Sequence, residues 1–364
     1  MGPTPFAGMT LADMGAEVVR VERPGGLGVF PGQPEQDILN RGKQSVGLDL
    51  KSRDAVDAVL TMVERADVLI EGGRPGVAER LGIGPDDCHA RNPALVYGRM
   101  TGWGQEGPLA TTAGHDIGYI AITGALHAIG DADGPPQIPL NLVGDFGGGS
   151  TYLVMGVLAA LLESRVTGRG RVVDAAIVDG TAHLLAGTHA LMNTGTWADA
   201  RGVNMLDGGA PYYAVYETRD ARHMAVGAIE PKFYALLLDG LGVTAIDRGE
   251  QNNRSTWATT KSMIASAFLT RTQQEWATAF EGTDACVSPV VTMVEALEHP
   301  HVRARGSVVR ENGLVQPKPA PRFSGTEPTV PSPPPAVGRH TEDALRRWGV
   351  DPVPLLDSGA AFQG

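Results

Sequence analysis

Residues 54–70 read DAVDAVLTMVERADVLI and join a helix pattern to a strand pattern. Apolar residues recur at helical spacing over 54–65, and 66–70 is a short apolar run typical of a buried strand. Runs of the same two kinds alternate on either side of this stretch. The other predicted strands are 16–22, 94–97 and 171–177, and the other predicted helices are 9–14, 86–91 and 152–163. This alternation predicts βαβ units in a Rossmann-like α/β domain, with a parallel sheet that helices cover on both faces.

The composition changes after about residue 195, which indicates a second, smaller domain. Residues 213–218 and 223–229 have the pattern of a hairpin, and helices are predicted over 232–241 and 273–280. Proline is frequent over 313–335, which predicts an irregular tether before a short helix over 340–348. The predicted domains are a large α/β domain over 1–178, a linker helix over 179–206, a small α+β domain over 207–288, a Pro-rich return linker over 289–337 and a C-terminal segment over 338–364 that rejoins the large domain.

The composition argues against several classes of function. The 364 residues carry a formal net charge of −11 with no basic block, so no nucleic-acid partner is expected, because phosphate binding depends on clustered Lys and Arg. The longest predicted apolar helix, 152–162, is shorter than the roughly 20 residues that cross a bilayer, and no membrane partner is expected. Two distant cysteines, Cys88 and Cys286, indicate a reducing compartment and predict a cytoplasmic protein. The nine histidines lack metal-ligand spacing, so no metal site is predicted.

The first candidate for acid–base chemistry is His115, in the sequence Gly114-His115-Asp116-Ile117. A glycine-rich loop precedes it and a helix is predicted from Asp116, so His115 is placed where the loop meets the helix. Histidine titrates near neutral pH and can take or give a proton under working conditions. A loop histidine that hydrogen-bonds to the backbone is the alternative interpretation.

The second candidate is Asp145, in the sequence NLVGDFGGGS over residues 141–150, directly before the long apolar helix. Free N–H groups at the start of a helix favour negative charge, so the backbone at Asp145, Phe146 and Gly147 is predicted to hold an enolate or acyl oxygen. The glycines at 147–149 are interpreted as room for a ligand to approach the backbone. A simple N-cap at Asp145 is the alternative, although a cap needs none of these glycines.

Five motifs in order along the chain resemble those of the alpha-methylacyl-CoA racemases, within the class III CoA-transferase (CaiB/BaiF-type) superfamily. They are EGGRPGV (71–77), AGHD (113–116), GDFGGG (144–149), NMLDGGAPYY (204–213) and GAIEP (227–231). The resemblance extends over nearly the whole chain. It implies the class III CoA-transferase fold, an interlocked homodimer and an acyl-CoA substrate.

The resemblance also implies roles for individual residues. His115 and Asp145 match the two catalytic groups, and Glu230 matches a glutamate that partners the histidine from the other subunit. The implied reaction interconverts (2R)- and (2S)-2-methylacyl-CoA by 1,1-proton transfer through an enolate. No cofactor is expected, because the thioester itself acidifies the carbon. The segments that match the coenzyme A site comprise Arg23, Leu48, Asp49, Leu50, Lys51, Gly72, Gly73, Arg74, Arg80, Gly114, Asp116, Ile117, Gly118 and Tyr119.

Two other functions compete with the racemase. In a class III CoA-transferase the residue matching Asp145 attacks acyl-CoA and forms a mixed anhydride. Such transferases usually carry an aromatic residue where this chain has His115, so His115 favours the racemase. A catalytically inactive binding protein is the third alternative, and the presence of His115, Asp145 and Glu230 together argues against it.

The chain departs from the resembling family at its beginning. That family starts with a strand before the turn that corresponds here to residues 2–5, and no such strand precedes them in this sequence. A parallel sheet without that strand exposes an edge. We therefore expect the start of the protein to lie upstream of Met1.

Overall fold

The computed structural model describes residues 2–25 and 32–364. Its helices are α1 Pro3–Asp13, α2 Arg53–Val63, α3 Val77–Leu81, α4 Pro85–Arg91, α5 Asp116–Ile122, α6 Ala125–Ala128, α7 Thr151–Thr167, α8 Ile177–Leu184, α9 Ala186–Asn193, α10 Pro231–Leu241, α11 Trp257–Phe268, α12 Gln273–Phe280, α13 Met293–Ala296, α14 Pro300–Arg305, α15 Thr341–Arg347 and α16 Pro352–Asp357. Its strands are β1 Val18–Glu22, β2 Lys43–Leu48, β3 Val68–Glu71, β4 Val96–Thr101, β5 Val172–Ala176, β6 Tyr213–Glu217, β7 His223–Gly227, β8 Val287–Pro289, β9 Val308–Glu311, β10 Leu314–Pro317 and β11 Ala361–Phe362. Short 3-10 helices occur at Pro34–Gln36, Ile38–Asn40 and Arg248–Glu250, and a π-helix spans Leu142–Ser150.

The chain divides into two compact units. The first comprises Met1–Thr123, Leu140–Leu184 and Pro300–Gly364, and the second comprises Gly124–Pro139 and Leu185–His299. This division differs from the predicted boundaries, because residues 124–139 group with the second unit. It also separates α8 from α9 within the predicted linker helix.

The first unit is an α/β structure built on two three-stranded sheets. One has the order β1-β2-β11, with β1 parallel to β2 and β11 antiparallel to it, and the other has the order β3-β4-β5 with all strands parallel. The apolar face of α2 packs into the core through Val59 and Met62. The predicted α/β class with parallel strands is confirmed. Strand β2 was not predicted, because the polar residues Lys43, Gln44 and Ser45 at its start interrupt the apolar run expected of a buried strand. Lys43 and Ser45 are nevertheless buried.

Helix α7 packs against strands β4 and β5 of the β3-β4-β5 sheet. Its side chains Leu153, Val154 and Val157 are buried in the cluster that also contains residues of β4 and β5. The helix ends at Gly168, which has a φ of 70° and forms a left-handed C-cap. Together with the preceding π-helix, α7 forms one helix over Leu142–Thr167. Its 26 residues are long and apolar enough to cross a membrane by length and composition alone, so the length predicted from the sequence was too short. A core helix of an α/β unit has the same properties.

The second unit has an antiparallel sheet of order β6-β7-β8 packed with helices. Its core includes Tyr212, which directly precedes β6, together with Tyr234 on α10 and Trp276 on α12. The predicted hairpin and the α+β character of this unit are confirmed.

Two local predictions differ from the structure. Helix α1 begins at Pro3 rather than at residue 9, because proline is well suited to the first turn of a helix, where its missing N–H has no partner to lose. The Pro-rich segment begins with a strand, β10, which forms an antiparallel hairpin with β9 around Asn312 and Gly313.

Candidate active site

His115 is the last residue before α5, as the sequence predicted. Its backbone is extended, with φ −137° and ψ 169°, and its carbonyl oxygen accepts the Gly118 N–H at 2.8 Å. The imidazole makes no capping hydrogen bond and is exposed. It is therefore accessible to a substrate, while its backbone is fixed by the helix that follows.

An aromatic pair supports the loop before His115. The rings of Trp103 and Tyr119 meet edge to face with centroids 4.7 Å apart. A Cβ atom at Gly114 would lie 2.6 Å from the Tyr119 ring and 3.0 Å from Trp103. Because Gly114 has no side chain, the backbone next to His115 can pack directly against the two rings. A larger residue at this position would clash with them.

Asp145 lies inside the π-helix Leu142–Ser150 and not at the start of an α-helix. The π-helix continues into α7 without interruption, because Ser150 and Thr151 both have helical backbone angles. π-Helical turns are rare and often occur at functional sites. The N-cap alternative for Asp145 is thus wrong.

The glycines after Asp145 serve packing within the unit. A Cβ atom at Gly148 would lie 2.6 Å from Thr181 Oγ1 and 2.8 Å from the Thr181 backbone nitrogen on α8. One at Gly149 would lie 3.0 Å from the Ile177 side chain and 3.3 Å from Met100 Sδ. Both glycines are buried, so the prediction that they admit a ligand to the backbone is wrong for Gly148 and Gly149.

Two of the three backbone donors predicted to hold an enolate oxygen, the Asp145 and Phe146 N–H groups, are engaged inside the chain. The Asp145 N–H donates to Asp116 Oδ1 at 2.6 Å, and the Phe146 N–H donates to the Asn141 carbonyl oxygen at 3.2 Å. The Phe146 ring stacks on Phe6 with centroids 4.4 Å apart. Asp145 lies in the first turn of the π-helix, and these two N–H groups are not free because the Asp116 side chain and the Asn141 carbonyl oxygen accept them. The predicted oxyanion role is therefore wrong for the Asp145 and Phe146 N–H groups, and for Gly147 it stays a prediction.

The Asp145 carboxyl group is half-buried, and burial raises its pKa above the usual range of an aspartate. Asn141 Nδ2 donates to Asp145 Oδ2 at 3.4 Å and opposes this rise. The negative charge of Asp116 adds to the rise, and the positive charge of His115 lowers the pKa. His115 and Asp145 are therefore close enough to act on each other electrostatically. Asn141 was not predicted to be a site residue, although its spacing of four residues from Asp145 is a signal for contact on a helix.

Part of the predicted coenzyme A site lies near this pair. Burial raises the pKa of Tyr119, the charge of Asp145 adds to the rise, and the charge of Arg74 lowers it. Arg74 follows β3 in a loop that is held by Glu71, whose Oε2 accepts the Gly73 N–H at 2.6 Å. Arg99 in turn binds Glu71 at 3.1 Å. A cation is thus placed on a fixed loop close to the Asp145 turn, as an anionic ligand requires.

Residues 48–51 of the predicted coenzyme A site make contacts inside the protein. Leu48 is fully buried at the end of β2, so its side chain cannot contact a ligand. The Asp49 N–H donates to the Ala360 carbonyl oxygen, and Asp49 Oδ1 accepts the Lys51 N–H at 3.1 Å. Leu50 packs against the same core cluster as Leu48. The backbone of this segment remains a candidate contact, whereas the Leu48 side chain does not.

The remaining predicted residues lie at loop or helix positions of the first unit. Arg23 is exposed directly after β1. Gly72 lies in the loop after β3, and Arg80 lies on α3. Asp116, Ile117 and Gly118 form the start of α5. Ile117 is 43% exposed, whereas Asp116 is only 8% exposed. Asp116 therefore faces the Asp145 turn and not solvent.

Comparison with known proteins identifies the family. Residues 1–341 match the family described as CoA-transferase family III. The chain belongs to this family. It is 46% identical over 359 residues to the alpha-methylacyl-CoA racemase of Mus musculus, covering 98% of this chain and 92% of that protein. It is 43% identical over 352 residues to the alpha-methylacyl-CoA racemase of Homo sapiens, covering 96% of this chain and 90% of that one.

The fold agrees with the family assignment. A crystal structure of a CaiB/BaiF family protein from Brucella suis superposes on this family III chain with a TM-score of 0.81. The two chains are 23% identical, and the match covers 95% of this chain and 96% of the other. The predicted class III CoA-transferase fold is confirmed.

Glu230 lies in the second unit of this family III chain, as the N-cap residue of α10. Its carbonyl oxygen accepts the Phe233 and Tyr234 N–H groups at 2.9 Å, and its charge acts on the exposed Cys286 thiol. Its partnership with His115 stays a prediction.

Replacing Asp145 with asparagine is expected to stabilise the protein at pH 7. Because burial raises the pKa of the folded carboxyl group, the ionised form destabilises the fold. This penalty is absent below the usual carboxyl pKa of about 4 and is fully present above the raised folded value. Asp145→Asn should therefore raise the melting temperature by on the order of 1–3 °C at pH 7 and by less near pH 4. Calorimetry at both pH values, with Asp199→Asn in an exposed loop as control, tests this. An equal gain at both pH values would contradict it.

Proposed function

We propose that this chain is an alpha-methylacyl-CoA racemase that interconverts the two configurations of 2-methylacyl-CoA thioesters. The observation that carries the proposal is the approach of His115 to Asp145, two groups able to exchange protons on separate elements of one unit. The similarity to the mouse and human racemases over nearly the whole chain supports it.

The chemistry follows from what inversion requires. A proton must leave one face of the α-carbon and another must arrive on the opposite face, so two acid–base groups flank that carbon. In one direction Asp145 takes the proton while His115 donates, and in the other direction the roles reverse. The raised pKa of Asp145 suits this work, because a carboxyl group with a pKa nearer neutral is a better base and a better acid at working pH.

The thioester supplies the acidity of the α-carbon, so the proposal needs no cofactor. Arg74 beside Tyr119 and the exposed Arg23 are proposed to hold phosphates of coenzyme A. Glu230 of the partner subunit is proposed to orient His115 and favour its protonated form.

We also propose a homodimer in the cytoplasm. Four apolar side chains, Met155, Leu158, Leu162 and Val166, are 41–86% exposed and spaced three or four residues apart on α7. Such a face is suited to burial against a second copy.

The proposed cytoplasmic location rests on the two cysteines. Both are free, with Cys88 buried and Cys286 exposed, as suits a reducing compartment.

A CoA-transferase is the second candidate, because the family carries that name. In its mechanism the Asp145 carboxylate attacks the thioester carbonyl, the C–S bond breaks, coenzyme A leaves as its thiolate, and the acyl group is held as an anhydride on Asp145. The two candidates differ in what happens to the α-hydrogen, since the transferase leaves it in place.

Incubation of the enzyme with (2S)-2-methyldecanoyl-CoA in deuterated water separates the two functions. We expect deuterium at C2 and formation of the 2R thioester without a free acid acceptor. NMR spectroscopy follows the loss of the C2 proton, and chiral chromatography follows inversion. Movement of coenzyme A to an added carboxylic acid, with no deuterium at C2, would reject the racemase in favour of the transferase.

A further inference from the structure

Asp116 has a buried carboxylate for which the proposed mechanism has no use. The residue follows His115 directly and begins α5. Its side chain is 8% exposed, Oδ1 accepts the Asp145 N–H at 2.6 Å, and Oδ2 has no hydrogen-bond partner among the residues described. Leaving a carboxylate oxygen buried without a partner costs stability, so its retention calls for an explanation.

Asp116 connects the two segments that carry the proposed acid–base groups. It is covalently bonded to His115 and hydrogen-bonded to the backbone of Asp145, which is 29 residues away in sequence. A hydrogen bond to a charged acceptor is stronger than one between neutral groups. The Gly144 N–H also lies close enough to this carboxylate to lower its pKa, which burial raises. Two consecutive N–H groups of the turn thus face one side chain, and the Asp145 N–H is the one that hydrogen-bonds to it.

Gly144 shows how closely this carboxylate sits against the turn. A Cβ atom at Gly144 would lie well inside contact distance of Asp116 Oδ1 and 2.9 Å from Ile120 Cγ2. Any side chain at position 144 would therefore push the turn away from α5. The arrangement requires both the glycine and the carboxylate.

We propose that Asp116 is a positioning residue, whose carboxylate clamps the Asp145 turn to the helix that begins after His115 and thereby sets the spacing of the two acid–base groups. The proposal rests on the proposed racemase function. Proton transfer depends steeply on this spacing, and a displacement of about 1 Å can cost about 100-fold in rate.

The charge of Asp116 has a second, separable effect. The charged groups that act on the Asp145 carboxyl among the described residues include Asp116, which raises its pKa, and His115, which lowers it. The Tyr119 hydroxyl also lies within electrostatic reach of Asp145. Removing the Asp116 charge alone should therefore lower the pKa of Asp145, while removing the side chain should also release the turn.

Two substitutions in the full-length enzyme separate these effects. In Asp116→Asn the amide oxygen can still accept the Asp145 N–H, whereas in Asp116→Ala no acceptor remains. We expect Asp116→Ala to lower kcat for deuterium exchange about 100-fold with KM changed less than about threefold. We expect Asp116→Asn to keep kcat within about tenfold of the wild type, and to move the acidic limb of kcat/KM to lower pH.

Asp87→Ala is the matched control. Asp87 Oδ2 accepts the Gly84 N–H at 3.2 Å at the start of α4, so this variant also removes a carboxylate that binds backbone next to a glycine. It should lower the melting temperature without changing kcat or the pH profile. The melting temperature of each variant reports folding independently of activity.

The outcomes distinguish the two proposals. A wild-type enzyme that exchanges no C2 proton overturns the racemase and the role of Asp116 with it. A wild type that exchanges normally together with an Asp116→Ala variant of unchanged kcat overturns the positioning role alone. If Asp116→Ala does not fold, Asp116→Ser decides, because its shorter side chain cannot reach the Asp145 N–H: a loss of kcat of about 100-fold supports the positioning role, and an unchanged kcat overturns it.

Discussion

Replacing His115 with alanine should reduce the rate of racemisation about 1000-fold. It should also reduce proton exchange at C2 to different extents in the two enantiomers. A positioned acid–base group contributes on the order of 10²–10⁴-fold to rate, and inversion needs both groups. Without His115, Asp145 still faces one side of the α-carbon. The enantiomer whose hydrogen points at Asp145 should exchange it for deuterium without inversion, and the other enantiomer should exchange nothing.

Asp145→Asn is the complementary variant. It removes the other base and should leave exchange only in the opposite enantiomer, again without inversion. Each variant is incubated with pure (2R)- or (2S)-thioester in deuterated water, and deuterium content and configuration are measured separately. The Asp199→Asn variant should exchange and invert both enantiomers at the wild-type rate. An His115→Ala enzyme that inverts both enantiomers normally would remove His115 from the mechanism. Equal loss of exchange from both enantiomers would make His115 a structural residue and not one of two bases.

The position of His115 was predictable because its signal is local. A glycine-rich loop before Asp116 and an apolar run after it mark a helix start, and α5 begins there. The alternation of apolar strands and helices likewise predicted the α/β class, since burial on both faces leaves the same pattern in any parallel sheet.

The environment of Asp145 was not predictable from sequence, because tertiary contacts create it. The π-helix covers only 9 residues, too few for its period to show in the sequence, and it is held by contacts of Gly148 with α8 and of Gly144 with Asp116. Family resemblance placed Asp116 and Leu48 in ligand-binding segments, yet both side chains point into the protein. A family resemblance therefore predicts which segments line the site more reliably than it predicts the direction in which each side chain points.

Replacing Gly180 with alanine should destabilise the protein by about 3 kcal/mol and abolish exchange at C2. Gly180 lies in the middle of α8, and a Cβ atom there would fall well inside contact distance of the Gly148 carbonyl oxygen and 3.0 Å from its Cα atom. These are backbone atoms, so no side-chain rotation relieves the clash. Either α8 or the π-helix must move.

Movement of the π-helix would carry Asp145 with it, since Asp145 and Gly148 belong to the same turn. The effects on stability and on exchange should therefore appear together in Gly180→Ala. The control is Gly187→Ala on α9, where a Cβ atom has no neighbour within 4 Å. Because alanine favours helix over glycine by up to about 1 kcal/mol, this control should be neutral or slightly stabilising and fully active. Denaturant unfolding and deuterium exchange measured on both variants test the packing role. A Gly180→Ala enzyme with wild-type stability would show that α8 and the Asp145 turn are not in the close contact described, and that the glycines at 148 and 180 are there for another reason.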